Sequence, residues 1–151
     1  MVHRTELQMR FSDTDALGHV NNISFASYAE TGRVDFLKRL GTAVTSLILA
    51  NVTIDYRRQI SFGEPIHIET WVEALGTSSI TLGQTIWANG ERAADVRSVA
   101  VHFDYATAKP MELTPAIRTE LAGFVRPGNQ TPSEGSAGGA SESGAAGGKT
   151  K

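Results

Sequence analysis

The sequence predicts an α+β domain in which a curved antiparallel sheet of about five strands wraps around one long central helix. Three observations lead to this prediction. One strand-like segment comes first, one long apolar helix follows, and four strand-like segments then succeed one another with no helix between them. The links between the late segments are short, and short links join antiparallel strands. A single long apolar helix also needs a broad sheet to bury it.

The first two elements are a strand at residues 5–11 and a helix at residues 23–40. Polar and apolar side chains alternate through 5–11, which is the period of a half-buried strand. Residues 12–22 are turn formers with little periodicity, so we expect a loop there. Asn21 or Asn22 can provide the N-cap of the helix.

The helix is expected to be largely enclosed and to end at Gly41, a common residue just after a helix C-terminus. Its apolar side chains fill an arc about 180° wide at about 100° per residue. These side chains are Ile23, Phe25, Ala26, Ala29, Val34, Phe36, Leu37 and Leu40. Glu30 and Arg33 fall in the same arc, three residues apart, so they can pair. The pair either anchors the helix or serves a functional site, and the pattern leaves both interpretations open.

Four further strands are predicted after the helix, at residues 51–60, 66–74, 80–86 and about 92–106. Asn89-Gly90 is a strong signal for a two-residue hairpin. In the last strand one face carries Val99, Val101, Phe103 and Tyr105. Thr114 and Pro115 then predict the cap and first residue of a short helix that ends near Phe124. A sheet of this kind keeps an open edge, so we expect edge-to-edge or face-to-face dimerisation.

Composition predicts one domain, at residues 1–126, followed by a disordered tail at 127–151. A chain of 151 residues buries enough surface for one sizeable core. Residues 127–151 are mostly Gly, Ala, Ser, Thr and Pro, which offer no large apolar side chain to offset the entropy of ordering. Whether this tail is native or an added linker stays open.

Charge and residue types exclude several classes of function. The formal net charge is −2 and the isoelectric point is near 6.1, whereas nucleic-acid-binding domains usually carry a basic excess. The chain has no cysteine, no apolar run of membrane-spanning length and no signal-peptide pattern, so we expect a cytoplasmic protein without a membrane partner. The four histidines are scattered and glycine-rich phosphate loops are absent, so neither a metal nor a cofactor is expected.

The densest group of reactive side chains lies in the loop Asp13-Thr14-Asp15-Ala16-Leu17-Gly18-His19-Val20-Asn21-Asn22. A helix N-terminus presents free backbone N–H groups, which favour an oxygen that gains negative charge during a reaction. A carboxylate beside such donors is sufficient to hydrolyse an activated acyl group, by direct attack or by activating water. The structural alternative is that Asp13 and Asp15 cap turns and that His19 only bonds the loop.

Residues 10–22, Arg-Phe-Ser-Asp-Thr-Asp-Ala-Leu-Gly-His-Val-Asn-Asn, resemble the signature of the hot-dog-fold acyl thioesterases of the 4-hydroxybenzoyl-CoA thioesterase group. The segments Glu30-Thr31-Gly32-Arg33 and Asp55-Tyr56-Arg57-Arg58 also match, and the resemblance covers roughly residues 5–124. It implies a hot-dog fold, a homodimer or homotetramer, and an acyl-CoA thioesterase that releases a free acid and a thiol. Coenzyme A is then part of the substrate and no cofactor is implied.

The resemblance also implies roles for individual residues. Asp15 takes the place of the catalytic aspartate, while Asp13 remains a loop or cap residue. The carbonyl-polarising donors are the backbone N–H groups of Val20, Asn21 and Asn22. Asp15 and His19 further match the Asp-x-Asn-x-His segment of plant acyl-carrier-protein thioesterases, so His19 is a second catalytic candidate, although Leu17 replaces the asparagine. The thioester is expected at a dimer interface, so each site draws on two chains.

Contacts to the thiol half of the substrate are less clearly marked. The resembled enzymes carry basic residues at the turn between the third and fourth strands, but Leu75-Gly76-Thr77-Ser78-Ser79 has no charge. Backbone and hydroxyl groups of Thr77, Ser78 and Ser79, together with Asn22, remain candidate substrate contacts. The candidate phosphate-binding cations are Arg57, Arg92 and Lys109.

Three other activities stay open at this point. They are hydrolysis of a carrier-protein thioester, acyl-CoA binding without catalysis, and a hot-dog dehydratase that would use His67 or His102.

Overall fold

A computed structural model describes residues 1–41 and 46–126, which form a six-stranded antiparallel sheet with one long helix against it. The elements in chain order are β1 (His3–Leu7), a 3-10 turn (Phe11–Asp13), α1 (Asn22–Arg39), β2 (Leu47–Tyr56), β3 (Ile66–Leu75), β4 (Ser79–Ala88), β5 (Glu91–Asp104), β6 (Lys109–Pro110) and α2 (Pro115–Ala122). The strand order is β1-β3-β4-β5-β2, and β6 pairs with β5. The α+β class and the element order are therefore confirmed, while the tail predicted at 127–151 lies outside the described residues.

The long helix α1 begins and ends within one residue of its predicted bounds. The side chain of Asn21 accepts a hydrogen bond from the Ile23 amide and caps the helix. Gly41 follows the last turn with φ +81°, a conformation that favours glycine. The predicted enclosure is wrong, because Ile23 and Val34 are 76% and 42% exposed. Only one face of α1 is buried, and it lies on β1, β3 and β4.

The predicted pair on α1 does not form an ion pair. Arg33 is buried and Glu30 is exposed, and no salt bridge joins them within the described ranges. Burial lowers the pKa of Arg33 below its usual value, while the nearby charge of Glu30 acts in the opposite direction. Arg33 thus belongs to the buried face of the helix and Glu30 to its solvent face.

The bounds of two strands differ from the predicted ones. Each strand ends where its pairing with the neighbouring strand ends, and not where the local sequence pattern ends. β1 pairs with β3 only as far as Leu7 opposite Ile66, and no strand of the described part of the chain continues this pairing. Phe11, predicted on the apolar side of that strand, is 79% exposed in the 3-10 turn. β2 leaves the sheet after Tyr56, where the amides of Arg57 and Arg58 both donate to the carbonyl of Ala93. The predicted strand at 51–60 is therefore 47–56.

The four side chains predicted to share one face of the last strand do not all lie on β5, which ends at Asp104. Val99 and Val101 point away from α1, and Tyr105 lies beyond the strand end. The inward side chains include Ala94, Ser98 and Ala100, which stand opposite fully buried large residues of β4 in the sheet register. Small residues on the helix-facing side of β5 therefore complement bulky ones on β4. The two-residue strand β6 is too short to carry a sequence pattern.

The middle of α1 is fixed closely against the sheet. A Cβ placed on Gly32 would lie 2.7 Å from Ile68 Cγ2 and 2.8 Å from Gln84 Nε2, so only glycine allows this approach. The same Gln84 Nε2 donates to the carbonyl of Ala29 at 3.0 Å. An apolar cluster that includes Phe25, Tyr28 and Ile68 packs toward the N-terminal end of the helix. The loop that precedes α1 is thereby mounted on a rigid element.

Candidate active site

The Asp15 loop is a small hairpin between the 3-10 turn and α1. Thr14 and Val20 form an antiparallel bridge, and the Asp15 amide donates to the carbonyl of His19 at 2.8 Å. The Gly18 amide closes the tip by donating to the Asp15 carbonyl at 3.2 Å, with φ +79° at Gly18. The hairpin therefore presents the side chain of Asp15 from a defined backbone.

The carboxylate of Asp15 is held through one oxygen. Oδ1 accepts hydrogen bonds from the amides of Leu17 at 2.8 Å and His19 at 3.3 Å. Within the described residues, Oδ2 accepts no hydrogen bond from a protein donor. One oxygen thus fixes the side chain and the other remains available to a substrate or a water molecule.

The three amides predicted to polarise a carbonyl are not equivalent. The Val20 amide donates to the carbonyl of Ile60, and the Asn21 amide donates to the carbonyl of Asp13, each at 2.8 Å. The Asn22 amide, at the first position of α1, has no acceptor in the described part of the chain. The prediction for Val20 and Asn21 is therefore corrected, and Asn22 carries the available N–H group.

Asp15 and Asn22 border one cavity of about 250 Å³. The residues that line it are Asp15, His19, Val20, Asn22, Phe25, Tyr56, Arg57, Arg58 and Gln59. His19 contributes a buried Nδ1 that has no hydrogen-bond partner within the described ranges. The structure thus brings Asp15, His19 and Asn22 together, as the loop motif predicts.

The structure adds Tyr56 to the site. Its hydroxyl donates to the carbonyl of Asn22 at 3.2 Å, and its ring packs edge-on against Phe25 at 5.1 Å. Sequence reasoning gave Tyr56 no role of its own, although it lies in the segment Asp55-Tyr56-Arg57-Arg58 that matches the resembled enzymes. Tyr56 is 49% exposed and forms the wall of the cavity on the β2 side.

Two of the predicted phosphate-binding cations lie together beside the cavity. Arg57 and Arg92 both form salt bridges with Asp95, which leaves one net positive charge in the cluster. Arg58 has a different role, because it bonds Glu64, Glu91 and the carbonyl of Ala88. The hydrogen bond from Arg58 lowers the pKa of Glu64 below its usual value.

The hydroxyl turn at residues 77–79 lies at the opposite end of the sheet from Asp15. Strands β3 and β4 separate the two places, and ten residues of strand span roughly 30 Å. Lys109 lies on β6 at this far end, next to the C-terminal end of β5. The turn is not without positive charge, because Arg118 of α2 donates to the carbonyl of Gly76 at 2.7 Å. One chain therefore does not bring this turn and Asp15 together.

Among the described residues we find neither a side-chain group suited to a metal ion nor a membrane-spanning helix. No group of three His, Asp or Glu side chains there is arranged to hold a metal ion. No helix in 1–41 or 46–126 is long and apolar enough to cross a bilayer.

Comparison with known proteins identifies relatives across most of the chain. The family model of the thioesterase-like superfamily matches residues 9–121. The uncharacterised YsmA of Bacillus subtilis is 35% identical over 81 residues, which are 51% of this chain and 55% of YsmA. The long-chain acyl-CoA thioesterase FadM of Escherichia coli is 25% identical, with 82% of this chain and 99% of FadM aligned.

A solved structure agrees with these relatives. The thioesterase of Thermus thermophilus complexed with coenzyme A and Zn is 32% identical, with a TM-score of 0.74 over 80% of this chain and 92% of that one. The family match begins just after β1, ahead of Asp15, and ends in the last turn of α2. The chain therefore belongs to the thioesterase-like superfamily, as a hot-dog-fold enzyme that hydrolyses thioesters.

Proposed function

We propose that this chain is an acyl-CoA thioesterase in which Asp15 is the catalytic carboxylate and the Asn22 amide polarises the thioester carbonyl. One observation carries the proposal. Asp15 and Asn22 line the same cavity, and in the described part of the chain neither Oδ2 of Asp15 nor the Asn22 N–H has a hydrogen-bond partner. A carboxylate and a backbone donor at a helix N-terminus are the groups that acyl transfer to water needs.

Hydrolysis of the thioester can follow two routes. Asp15 can attack the carbonyl carbon, expel the CoA thiolate and form a mixed anhydride that water then hydrolyses. Alternatively, Asp15 takes a proton from a water molecule that attacks the same carbon. In both routes the Asn22 amide stabilises the negative oxygen, and His19, which lines the same cavity, is the proposed donor of a proton to the leaving sulfur.

The positive cluster of Arg57 and Arg92 is the proposed contact for the CoA phosphates. Two guanidinium groups share one carboxylate, so a phosphate finds unsatisfied charge there. A relative solved with coenzyme A bound supports this class of substrate. FadM supports a long acyl chain as one of the groups to be tested.

A homodimer formed through β2 is part of the proposal. β2 is an edge strand of ten residues, and its helix-facing side chains Leu49, Val52 and Tyr56 are 40–49% exposed. An unprotected edge of this length favours pairing with another strand. Antiparallel pairing of two β2 strands about a twofold axis brings the partner's far sheet end beside this chain's Asp15. Thr77, Ser78 and Ser79 of the second chain can then contact the substrate.

The test is an acyl-CoA panel of short, long and aromatic acyl groups, followed by release of free thiol. We expect Asp15→Asn to lower kcat by about 10³-fold or more, in the range seen when a catalytic group is removed. Glu120→Gln is the control, because Glu120 is an exposed carboxylate on α2 and does not line the cavity. Near-native turnover by Asp15→Asn would remove the mechanism. Tight acyl-CoA binding without thiol release would instead favour a binding module.

A further inference from the structure

A second carboxylate, that of Asp13, connects the Asp15 hairpin to the rest of the chain through hydrogen bonds. Asp13 is only 5% exposed and does not line the cavity. Its Oδ2 accepts hydrogen bonds from the Tyr28 hydroxyl at 3.0 Å and from the Arg10 amide at 2.9 Å. Its Oδ1 accepts one from the Arg10 guanidinium at 3.1 Å.

The backbone of Asp13 makes further bonds to the beginning of α1. Its carbonyl accepts hydrogen bonds from the Asn21 amide at 2.8 Å and from the Ser24 hydroxyl at 2.9 Å. The bond from Asn21 uses up that amide, while the next one along, at Asn22, has no acceptor among the described residues. Asp13 thus joins the start of the Asp15 hairpin to the end that carries the proposed carbonyl donor.

Tyr28 connects Asp13 to the body of α1. It is 3% exposed and lies in the second turn of α1. Its side chain packs in the apolar cluster that also contains Phe25 and Ile68. Burial and the hydrogen bond to Asp13 raise the pKa of Tyr28 above its usual value, so the phenol remains a donor. A hydrogen bond from a neutral hydroxyl to an ionised carboxylate is among the stronger ones in proteins.

We propose that Asp13 and Tyr28 form a clamp that sets the separation of Asp15 Oδ2 and the Asn22 amide. This inference rests on the proposed function, since it assigns those two groups to the reaction. Neither member of the clamp reaches the cavity, so both are positioning residues. Catalysis depends on such positioning, because a shift of about 1 Å in a reacting group costs up to roughly 100-fold in rate.

Tyr28→Phe tests the clamp, because it removes the hydroxyl and keeps the ring. Thr5→Val is the matched control, since it removes the hydroxyl that donates to Asp35 of the same helix at 2.7 Å. We expect both variants to lower Tm by similar amounts. Tyr28→Phe should also lower kcat at least about tenfold with KM within about twofold, because the reacting groups and not the binding surface are displaced.

Hydrogen–deuterium exchange gives a readout that does not depend on activity. Exchange in residues 11–24 should accelerate in Tyr28→Phe and stay unchanged in Thr5→Val. Equal kcat and equal loop exchange in the two variants would overturn the clamp, as would exchange that rises uniformly over the chain. If the wild-type protein cleaves no thioester, the proposed function fails, and the exchange comparison still decides whether the clamp holds the loop.

Discussion

Asp13 makes the stability of the site loop depend on pH. Burial by itself would raise the pKa of Asp13, but hydrogen bonds from the Arg10 amide, the Tyr28 hydroxyl and the Arg10 guanidinium outweigh it and lower the pKa below its ordinary value. The folded-state pKa is then lower than the unfolded one. The ionised carboxylate therefore stabilises the fold above the unfolded pKa, and this stability is lost as pH falls through the folded pKa.

We expect Tm to fall more steeply below about pH 4 in the wild type than in Asp13→Asn, because the variant has no carboxylate to protonate at this position. Near neutral pH we expect Asp13→Asn to be less stable than the wild type by about 1.5–3 kcal/mol, through the loss of charged hydrogen bonds. Thermal unfolding from about pH 3 to about pH 7 measures both effects. Parallel curves for the two proteins would contradict the assignment.

Asn22 shows where sequence reasoning reaches its limit at the scale of one residue. The loop signature located the site correctly, because a helix N-terminus always leaves backbone N–H groups to be satisfied. It did not separate Asn22 from Val20 and Asn21. The difference depends on the carbonyls of Ile60 and Asp13, and the first of these lies far from the loop in the chain.

At the scale of elements, the contact of α1 with the sheet depends on Gly32. Alanine is better than glycine in a helix by about 1 kcal/mol, but inserting a methyl group into a packed core costs about 1–3 kcal/mol. The added Cβ would lie 2.7 Å from Ile68 and 2.8 Å from Gln84, so packing decides the sign. Gly32→Ala should therefore lower the free energy of unfolding by up to about 2 kcal/mol, toward the upper end of this range because the approach is so close.

Urea unfolding measures this change, and Thr31→Ala is its control on the exposed side of the same turn. The control should stay within about 0.5 kcal/mol of the wild type, as surface substitutions usually do. If Gly32→Ala is as stable as Thr31→Ala, the helix has room to move and the close approach is not needed.

Element types were easier to predict than element ends. α1 carries its own signals in Asn21 and Gly41, so its ends follow from local chemistry. The hairpin at Asn89 and Gly90 is equally local, and both residues have positive φ. The ends of β1 and β2 depend instead on where β3 and β5 offer partners, which no window of the sequence contains.

At the scale of the whole molecule, the uncovered side of β2 leads to a prediction about assembly. Val52→Lys places a charge on the helix-facing side of this edge strand, where the side chain is 40% exposed. We expect the variant to shift from dimer to monomer in sedimentation and to lose kcat/KM at least about tenfold, since the proposed site draws on two chains.

Val34→Lys is the matched control, because Val34 is a valine with a similar exposure of 42% and lies on the solvent face of α1. It should leave both the mass and the activity unchanged. A monomeric Val52→Lys with full activity would mean that each chain holds a complete site.

The two tryptophans lie on the same face of the sheet, so intrinsic fluorescence reports on that face only. Trp71 covers Gly83, where a Cβ would lie 2.5 Å from the indole, and Trp87 stacks on His67 at 6.0 Å; both lie on the sheet face away from α1. Intrinsic tryptophan emission should therefore respond to changes on the sheet face away from α1, and it should not change when an acyl group binds in the cavity beside Asp15. Burial lowers the pKa of His67, so quenching of Trp87 by the protonated imidazole should begin on the acid side of the ordinary histidine range.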